Sequence, residues 1–502
     1  MDVRDDLDAP VDLLSVAQTR RLDACAVARG VCGYALMEAA GAGLARAALD
    51  AAPGARSAAV LCGPGANGGD GFVAARHLAG AGLSVAVHAL GPRAALTGDA
   101  ALAAADWSGP VAPLADWRPG RESIVIDALF GAGLSRPLGG AALEAVRRMN
   151  DWRGPGRIAV AADIPSGIDG DSGASLGEAA RCDVTVTFER RKPGHLLLPG
   201  REACGRVVVV PIGAPAACVE EAGGDLRTVG PAGWRPLWRG ARVAGHKYDR
   251  GHAVVLSGGA TRTGAARLAA RAALRVGAGL VTLAAPREAL GVAAAHLTAI
   301  MLTACDDAGG LSVILADTRL NSVALGPAGG VGARMTEMTL AALGSGAAVT
   351  LDADGLTSAS NRPEALFEAI RTRAAPVTLT PHEGEFRRLF PALDGSKLVR
   401  ARAAARISGA VVILKGADSV VAAPDGRAAI LDIDAPWLAT AGSGDVLTGL
   451  VAGLAAQGVP AFEGASAAVW LHATAGRRLG PGLIAEDLAE VLPAILRPLF
   501  CE

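Results

Sequence analysis

The sequence predicts an α/β protein built as two three-layer αβα domains. Three observations carry this expectation. The chain has 502 residues, too long for a single hydrophobic core. Short apolar runs alternate with helical patterns, and several of the runs are apolar throughout, as strands buried on both faces are. The alternation lapses near the middle of the chain and then resumes.

In the first half, strands are expected at 57–61, 84–90, 123–127, 157–163, 183–188 and 206–210. A glycine-rich loop follows the first strand, and a helix is expected from about Phe72. Residues 214–244 mix Pro, Gly, Trp and charge without a sustained period. They read as a linker and the entry to a second domain. The expected boundaries are 12–225 and 226–502. In the second half, strands are expected at 253–256, 279–284, 322–325, 347–351, 377–380 and 411–414, with helices at 263–276, 332–343 and 446–456.

Composition excludes several classes. Mean hydropathy is +0.35, but the apolar residues are spread evenly and no run reaches the roughly 18–20 residues a bilayer requires. The acidic start, Met1-Asp2-Val3-Arg4-Asp5-Asp6, lacks a signal-peptide core, so a cytoplasmic location is expected. With 48 basic and 49 acidic residues and no cationic block, nucleic acid is not an expected partner. The eight cysteines form no Cys-x-x-Cys pair, which favours small buried thiols in a reducing compartment.

Three polar strand ends stand out in the first half. Cys62-Gly63-Pro64-Gly65-Ala66-Asn67-Gly68-Gly69-Asp70-Gly71 lies between a strand and a helix. Asp127 opens a second segment that runs through Gly131, Ala132, Gly133, Leu134, Ser135, Arg136 and Pro137. Asp163-Ile164-Pro165-Ser166-Gly167 follows a third strand. Ligands of open parallel sheets bind beyond the carboxyl ends of strands, so the three ends together form a pocket. Singly, Asp127 could cap a helix, Asp163 could make an Asx turn, and Lys192 could be a solvated loop lysine.

This trio resembles the epimerase domain of the NAD(P)H-hydrate repair enzymes, the YjeF N-terminal type with a Rossmann-like fold, over residues 12–215. That family carries two adjacent asparagines in the loop; here the first is Ala66. The resemblance implies that Asn67, Asp127 and Ser166 bind a potassium ion. It also implies that Ala66, Asn67, Gly68, Gly69, Asp70, residues 131–137 and Asp163 meet the hydrated dinucleotide. Asp163 is the expected general acid/base, with a pKa raised by its half-buried pocket, and Lys192 is a possible second participant.

Near its C-terminus the second half reads Ala439-Thr440-Ala441-Gly442-Ser443-Gly444-Asp445-Val446. Bare glycine N–H groups before a helix starting at Val446 make an anion site. Asp445, a carboxylate set in that positive spot, is expected to take a proton from a hydroxyl about to receive a phosphoryl group. Pro381-His382-Glu383-Gly384-Glu385 and Leu414-Lys415-Gly416-Ala417-Asp418-Ser419 follow two earlier strands. Alone, His382 reads as a hydrogen-bonded loop histidine and Lys415 as a solvated charge. Arg267, Arg271 and Arg275 share one helix face and read as a solvated stripe.

Together these motifs resemble the ADP/ATP-dependent NAD(P)H-hydrate dehydratases, which have a ribokinase-like fold, over residues 235–500. The family's Gly-Pro-Gly-x-Gly is here Gly326-Pro327-Ala328-Gly329-Gly330. By resemblance, Lys415, Gly416, Ala417, Asp418, Ser419 and Gly444 hold the nucleotide, ADP or alternatively ATP, with Mg2+ as its companion. Ala265, Gly330, His382 and Asp445 face the hydrate, and Asp445 is catalytic. The implied activity is repair of hydrated NADH and NADPH. The R and S hydrates are interconverted, and the S form is then dehydrated with release of AMP and phosphate. Both families imply self-association. Two other readings stay open: an ordinary small-molecule kinase on the second half, and a non-catalytic interaction module on the first.

Overall fold

The computed structural model describes residues 11–238, 240 and 242–500. The acidic residues 1–6 and Cys501 lie outside them. The chain divides into two compact units, Asp12–Leu226 and one built from Arg227 onward together with Val11.

The first unit is a seven-stranded sheet. Its strands are β1 Ser57–Cys62, β2 Ser84–Ala89, β3 Val111–Pro113, β4 Ile124–Ala128, β5 Ile158–Ala162, β6 Val184–Phe188 and β7 Arg206–Val210, in the order β3-β2-β1-β4-β5-β6-β7. Every pairing is parallel. Both faces are covered, as the apolar runs require. Val60, Ile126 and Val160 pack on one side with Leu44, Phe72 and Leu78, while Leu61, Val125 and Ala159 pack on the other with Val146 and Met149. The order reverses between β1 and β4, which opens a crevice at their carboxyl ends.

The second unit is a ten-stranded sheet. Its strands are β8 Leu226–Thr228, β9 His252–Leu256, β10 Leu280–Ala285, β11 Met301–Ala304, β12 Ser322–Leu325, β13 Ala348–Leu351, β14 Val377–Leu379, β15 Val411–Leu414, β16 Val420–Ala422 and β17 Ala428–Ile430. The order is β11-β10-β9-β12-β13-β14-β15-β16-β17-β8. The sheet is parallel from β11 to β15, and β15, β16 and β17 then form an antiparallel meander. Here the switch point falls between β9 and β12.

Several expectations need correction. Strands β3, β8, β11, β16 and β17 were not anticipated. All are three or four residues long, too short to show a period. The segment 214–244 is structured rather than a bare linker. It holds the helix Ala216–Ala222 and β8, and Trp234 and Trp238 are buried beside Trp470 in the second unit's core.

Two helices begin earlier than expected. The helix expected from Phe72 is Ala66–Gly80, and the helix expected from Val446 is Ser443–Ala456. Asn67-Gly68-Gly69-Asp70 is therefore helical, not a loop. Its glycines permit close packing: a Cβ on Gly68 would lie 2.0 Å from the Gly63 carbonyl oxygen. Finally, Cys25 and Cys218 form a disulfide with Cα atoms 5.7 Å apart, so these two depart from the expected free thiols.

Candidate active sites

In the first unit, the ends of β1, β4 and β5 converge on a cavity of about 1040 Å³. Ala66, Asn67, Asp70, residues 131–137 and Asp163 all line it. Gly68 and Gly69 are buried behind it, in the first turns of the Ala66–Gly80 helix. The helix Val16–Ala28 adds Arg20 and Asp23 to the wall. Sequence reasoning missed both, because that helix precedes every strand and carries no glycine or strand-end signal.

Asp163 follows β5 directly in a left-handed backbone conformation, φ +64°. Its N–H donates to the Val186 carbonyl at 2.7 Å, and its own carbonyl accepts from His195 Nε2 at 2.8 Å. His195 Nδ1 accepts from the Lys192 N–H at 2.8 Å, and these two partners assign the Nε2–H tautomer. Burial is the main reason that imidazole is held neutral, with a pKa of about 4; the Lys192 charge acts in the same direction.

The Asp163 carboxylate meets Lys192 Nζ at 2.6 Å, the Ala132 N–H at 2.9 Å and Thr187 Oγ1 at 3.2 Å. Lys192 is 2% exposed, so it is not a solvated loop lysine. The raised pKa expected for Asp163 is also corrected. Burial pushes the carboxyl up, but the Lys192 ammonium, the Ala132 N–H and His195 outweigh it and hold the group below its ordinary value. Asp163 is thus held as a carboxylate. Asp70, without such a cation, is driven well above the carboxylate range by burial and by Asp163 and Asp23.

Beneath the cavity, Asp127 is completely buried. It accepts from Ser166 Oγ at 2.6 Å, from the Ser166 N–H at 2.8 Å and from the Leu129 N–H at 3.2 Å. Ser166 Oγ also approaches the Phe130 carbonyl at 3.1 Å. Asn67 Nδ2 is buried without a hydrogen-bond partner.

In the second unit, the ends of β9, β12, β13, β14 and β15 are neighbours in the sheet. Gly326, at φ +117°, brings the first two residues past β12 against Asp352, where a Cβ would lie 1.8 Å from the Asp352 carbonyl oxygen. Ala328 also has positive φ, +51°, in a region that costs an L-residue energy and glycine little. Ala328→Gly is therefore expected to stabilise the unit by about 0.5–1 kcal/mol, after the entropy of the added glycine is subtracted. A rise in the denaturant midpoint is the check. Gly330 donates its N–H to Asp354 Oδ2 at 2.9 Å.

His382 caps the helix Glu383–Leu389. Its Nδ1 accepts from the Gly384 and Glu385 N–H groups, and its Nε2 lies 3.3 Å from Glu385 Oε1. Its side chain remains 55% exposed, so capping leaves one ring edge open. Residues 415–419 form the turn between β15 and β16. The Ser419 hydroxyl donates to the Gly416 carbonyl at 2.7 Å and accepts from its N–H at 3.0 Å. Lys397 Nζ reaches Asp418 Oδ1 at 2.5 Å. Lys397 begins the helix Lys397–Ser408 and was not anticipated.

Asp445 sits in the first turn of the Ser443–Ala456 helix, after Gly442 at φ +85°. The first N–H groups of a helix have no acceptor within it, and although the helix begins three residues early, of the Gly442–Gly444 amides the Ser443 N–H reaches the Thr440 carbonyl, at 3.4 Å. Lys415 is paired with Asp352 at 2.7 Å, which corrects its reading as a solvated charge. Burial and the Asp352 carboxylate push the Asp445 pKa up to about 6, with Lys415 opposing. Asp352, 2% exposed, was missed. It directly follows the expected strand 347–351, so the rule that found the other strand ends would have found it. Of the three stripe arginines, Arg271 and Arg275 pair with Glu490 rather than with water alone.

Fold and sites together define a two-site enzyme, with a carboxylate–lysine pair in one unit and an anion cradle beside a carboxylate in the other. Comparison with known proteins sharpens this class. Residues 33–194 match the family described as YjeF-related protein N-terminus, and residues 253–493 match NAD(P)H-hydrate dehydratase. A bifunctional NAD(P)H-hydrate repair enzyme of Thermofilum pendens is 36% identical over 96% of this chain and 96% of its own length. One from Moorella thermoacetica is 34% identical over 88% of this chain and 87% of its own. A crystal structure of the ADP/ATP-dependent NAD(P)H-hydrate dehydratase of Bacillus subtilis, co-crystallised with ATP and Mg2+, is 26% identical. It covers 53% of this chain and 95% of its own, with a TM-score of 0.45. The chain belongs to the family of bifunctional NAD(P)H-hydrate repair enzymes. Among the described residues, no helix is long and apolar enough to cross a membrane.

Proposed function

We propose that the chain repairs hydrated NADH and NADPH. The first unit interconverts the two epimers and the second dehydrates one of them at the expense of ADP. The observation that carries this reading is Asp445, a carboxylate with its pKa raised to about 6, in the first turn of a helix that opens on Gly442-Ser443-Gly444.

In the first unit the ring nitrogen's lone pair expels the hydroxyl, which takes a proton from solvent and leaves as water, and a water then adds to either face of the ring. Asp163, held ionised by Lys192, accepts the proton of the adding water and returns it to solvent. Asn67, Asp127 and Ser166 fit a potassium ion. Asp127 and Ser166 set hard oxygens around the Ser166 hydroxyl, and Asn67 would add its side-chain oxygen. The ion would supply positive potential beneath the cavity.

In the second unit, Asp445 takes the proton of the substrate hydroxyl while its oxygen accepts the terminal phosphoryl group of ADP, releasing AMP. The Gly442–Gly444 amides stabilise the transferred charge. The ring nitrogen then expels phosphate, a far better leaving group than hydroxide, and loss of a ring proton to water restores the double bond. Lys415 to Ser419 and Gly444 hold the nucleotide, while Ala265, Gly330 and His382 face the hydrate. No group of three or more His, Cys, Asp or Glu side chains able to hold a metal occurs among the described residues. Magnesium would arrive with the phosphates of the nucleotide.

The test is incubation of the purified chain with hydrated NADH and ADP. Return of the reduced-nicotinamide absorbance with stoichiometric AMP is the expected result. A stable phosphorylated alcohol would instead identify a small-molecule kinase.

A further inference from the structure

Asp352 lies at the carboxyl end of β13, the strand next to the switch point, and is 2% exposed. A carboxylate buried this deeply must be paired and hydrogen-bonded. Its two oxygens go to different elements. Oδ1 accepts from Lys415 Nζ, on the β15–β16 turn, at 2.7 Å. Oδ2 accepts from Thr448 Oγ1, on the Ser443–Ala456 helix, at 2.6 Å. Thr448 Oγ1 also lies 3.1 Å from the Gly444 carbonyl, one turn back on the same helix. The result places the lysine over the cradle: a Cβ on Gly444 would be 3.7 Å from Lys415 Nζ.

We infer that Asp352 is the positioning residue of the dehydrating site, tying the Lys415 ammonium and the first turn of the Ser443–Ala456 helix into one unit. The inference rests on the function proposed above and adds a residue to it. Without Asp352, Lys415 is a flexible four-carbon stem ending in a strongly hydrated charge. With it, the cation is fixed over the amides that receive the phosphoryl group. A phosphoryl transfer that depends on placement rather than on covalent help from the protein gains most from such a tether.

The same carboxylate has a second effect. It is an anion facing Asp445, and it contributes to that group's raised pKa. The other groups around the turn are few. Lys415 opposes the rise. His472, on the helix Ala461–Leu479, touches Ser443 at 3.0 Å and is held neutral by burial, with a pKa of about 4. The packed helix Gly264–Arg275 carries Arg267, Arg271 and Arg275, of which the last two are committed to Glu490. Asp352 is thus the anion whose removal changes the basicity of Asp445.

The experiment compares pH profiles of kcat/KM for the hydrate at saturating ADP in the whole chain and in Asp352→Asn. The nucleotide's own ionisation is common to both proteins and cancels in the comparison. The expected result is an acid limb lowered by about one unit or more, since a like charge has been removed and Lys415 no longer neutralised. The KM for ADP should rise about tenfold as Lys415 loses its anchor. A packing role alone would lower the melting temperature without moving the limb, and an unmoved limb overturns the inference. Thr448→Val keeps the charge and cuts only the link to the helix. It should raise the KM for ADP and leave the limb in place, and if Asp352→Asn does not fold, an unchanged KM in this variant overturns the inference. If the unaltered chain shows no ADP-dependent dehydration, the proposed function itself fails; if it turns over and both variants match it, only the tether fails.

Discussion

Asp445→Asn is expected to bind ADP as before and to lose dehydration by about 10²–10⁴-fold, the usual consequence of removing a general base. The amide is isosteric, so the cradle keeps its shape. It also removes a negative charge from an anion site, so nucleotide affinity should hold or improve. Titration calorimetry with ADP and the absorbance assay separate the two effects. Unaltered turnover would remove Asp445 from the chemistry. The pH dependence supplies a second check. A base must be ionised to act, and Asp445 has a pKa of about 6. Dehydration should therefore be level above that pH and fall tenfold per unit below it.

Asp163→Asn is expected to slow epimerisation by about 10²–10⁴-fold while leaving dehydration of the reactive epimer intact. Here the sign of the pH effect is opposite in origin. Lys192 holds this carboxyl below its ordinary value of 3.8, so epimerisation should show no acid limb between neutrality and about pH 4. The substitution also strands the Lys192 ammonium, 3% exposed, in the protein interior. Removing one partner of such a pair costs about 3–5 kcal/mol, so a lower melting temperature in the first unit should accompany the lost rate. A stability loss with unchanged epimerisation would make Asp163 structural. Following the exchange of the separated epimers by chromatography decides between them.

The parts of these sites that lie at strand ends were legible before any coordinates. Asp127, Asp163, His382 and Lys415 each follow or close an apolar run, and the run itself locates them. Asp352 obeys the same rule, directly after an apolar run and three residues before Gly355, and is missing from the expected site. Asp23 was beyond reach, since only the folded chain brings the helix Val16–Ala28 to the cavity. The β15–β16–β17 meander escaped because Val420–Ala422 and Ala428–Ile430 are too short to display alternation. Glycine disfavours helices in general, so the glycines of 66–71 and 442–444 point to loop. At 66–71 glycine is used inside a helix, where a Cβ on Gly71 would strike Ala128 and Cys62 of the sheet and one on Gly69 would strike Met37. Charge state was the least legible quantity. The ionisation of Asp163 depends on a lysine 29 residues away in sequence, and no local pattern encodes that distance.

Two aspartates in one polypeptide have been given neighbours of opposite sign, a cation for one and an anion for the other. Mild acidification should consequently split the pathway. Near pH 5 the chain would go on shuttling its damaged coenzyme between the two forms at the hydroxyl-bearing carbon, yet consume it at only about a tenth of the neutral rate, so that both forms stay at their equilibrium ratio while the damage builds up until the medium is neutralised.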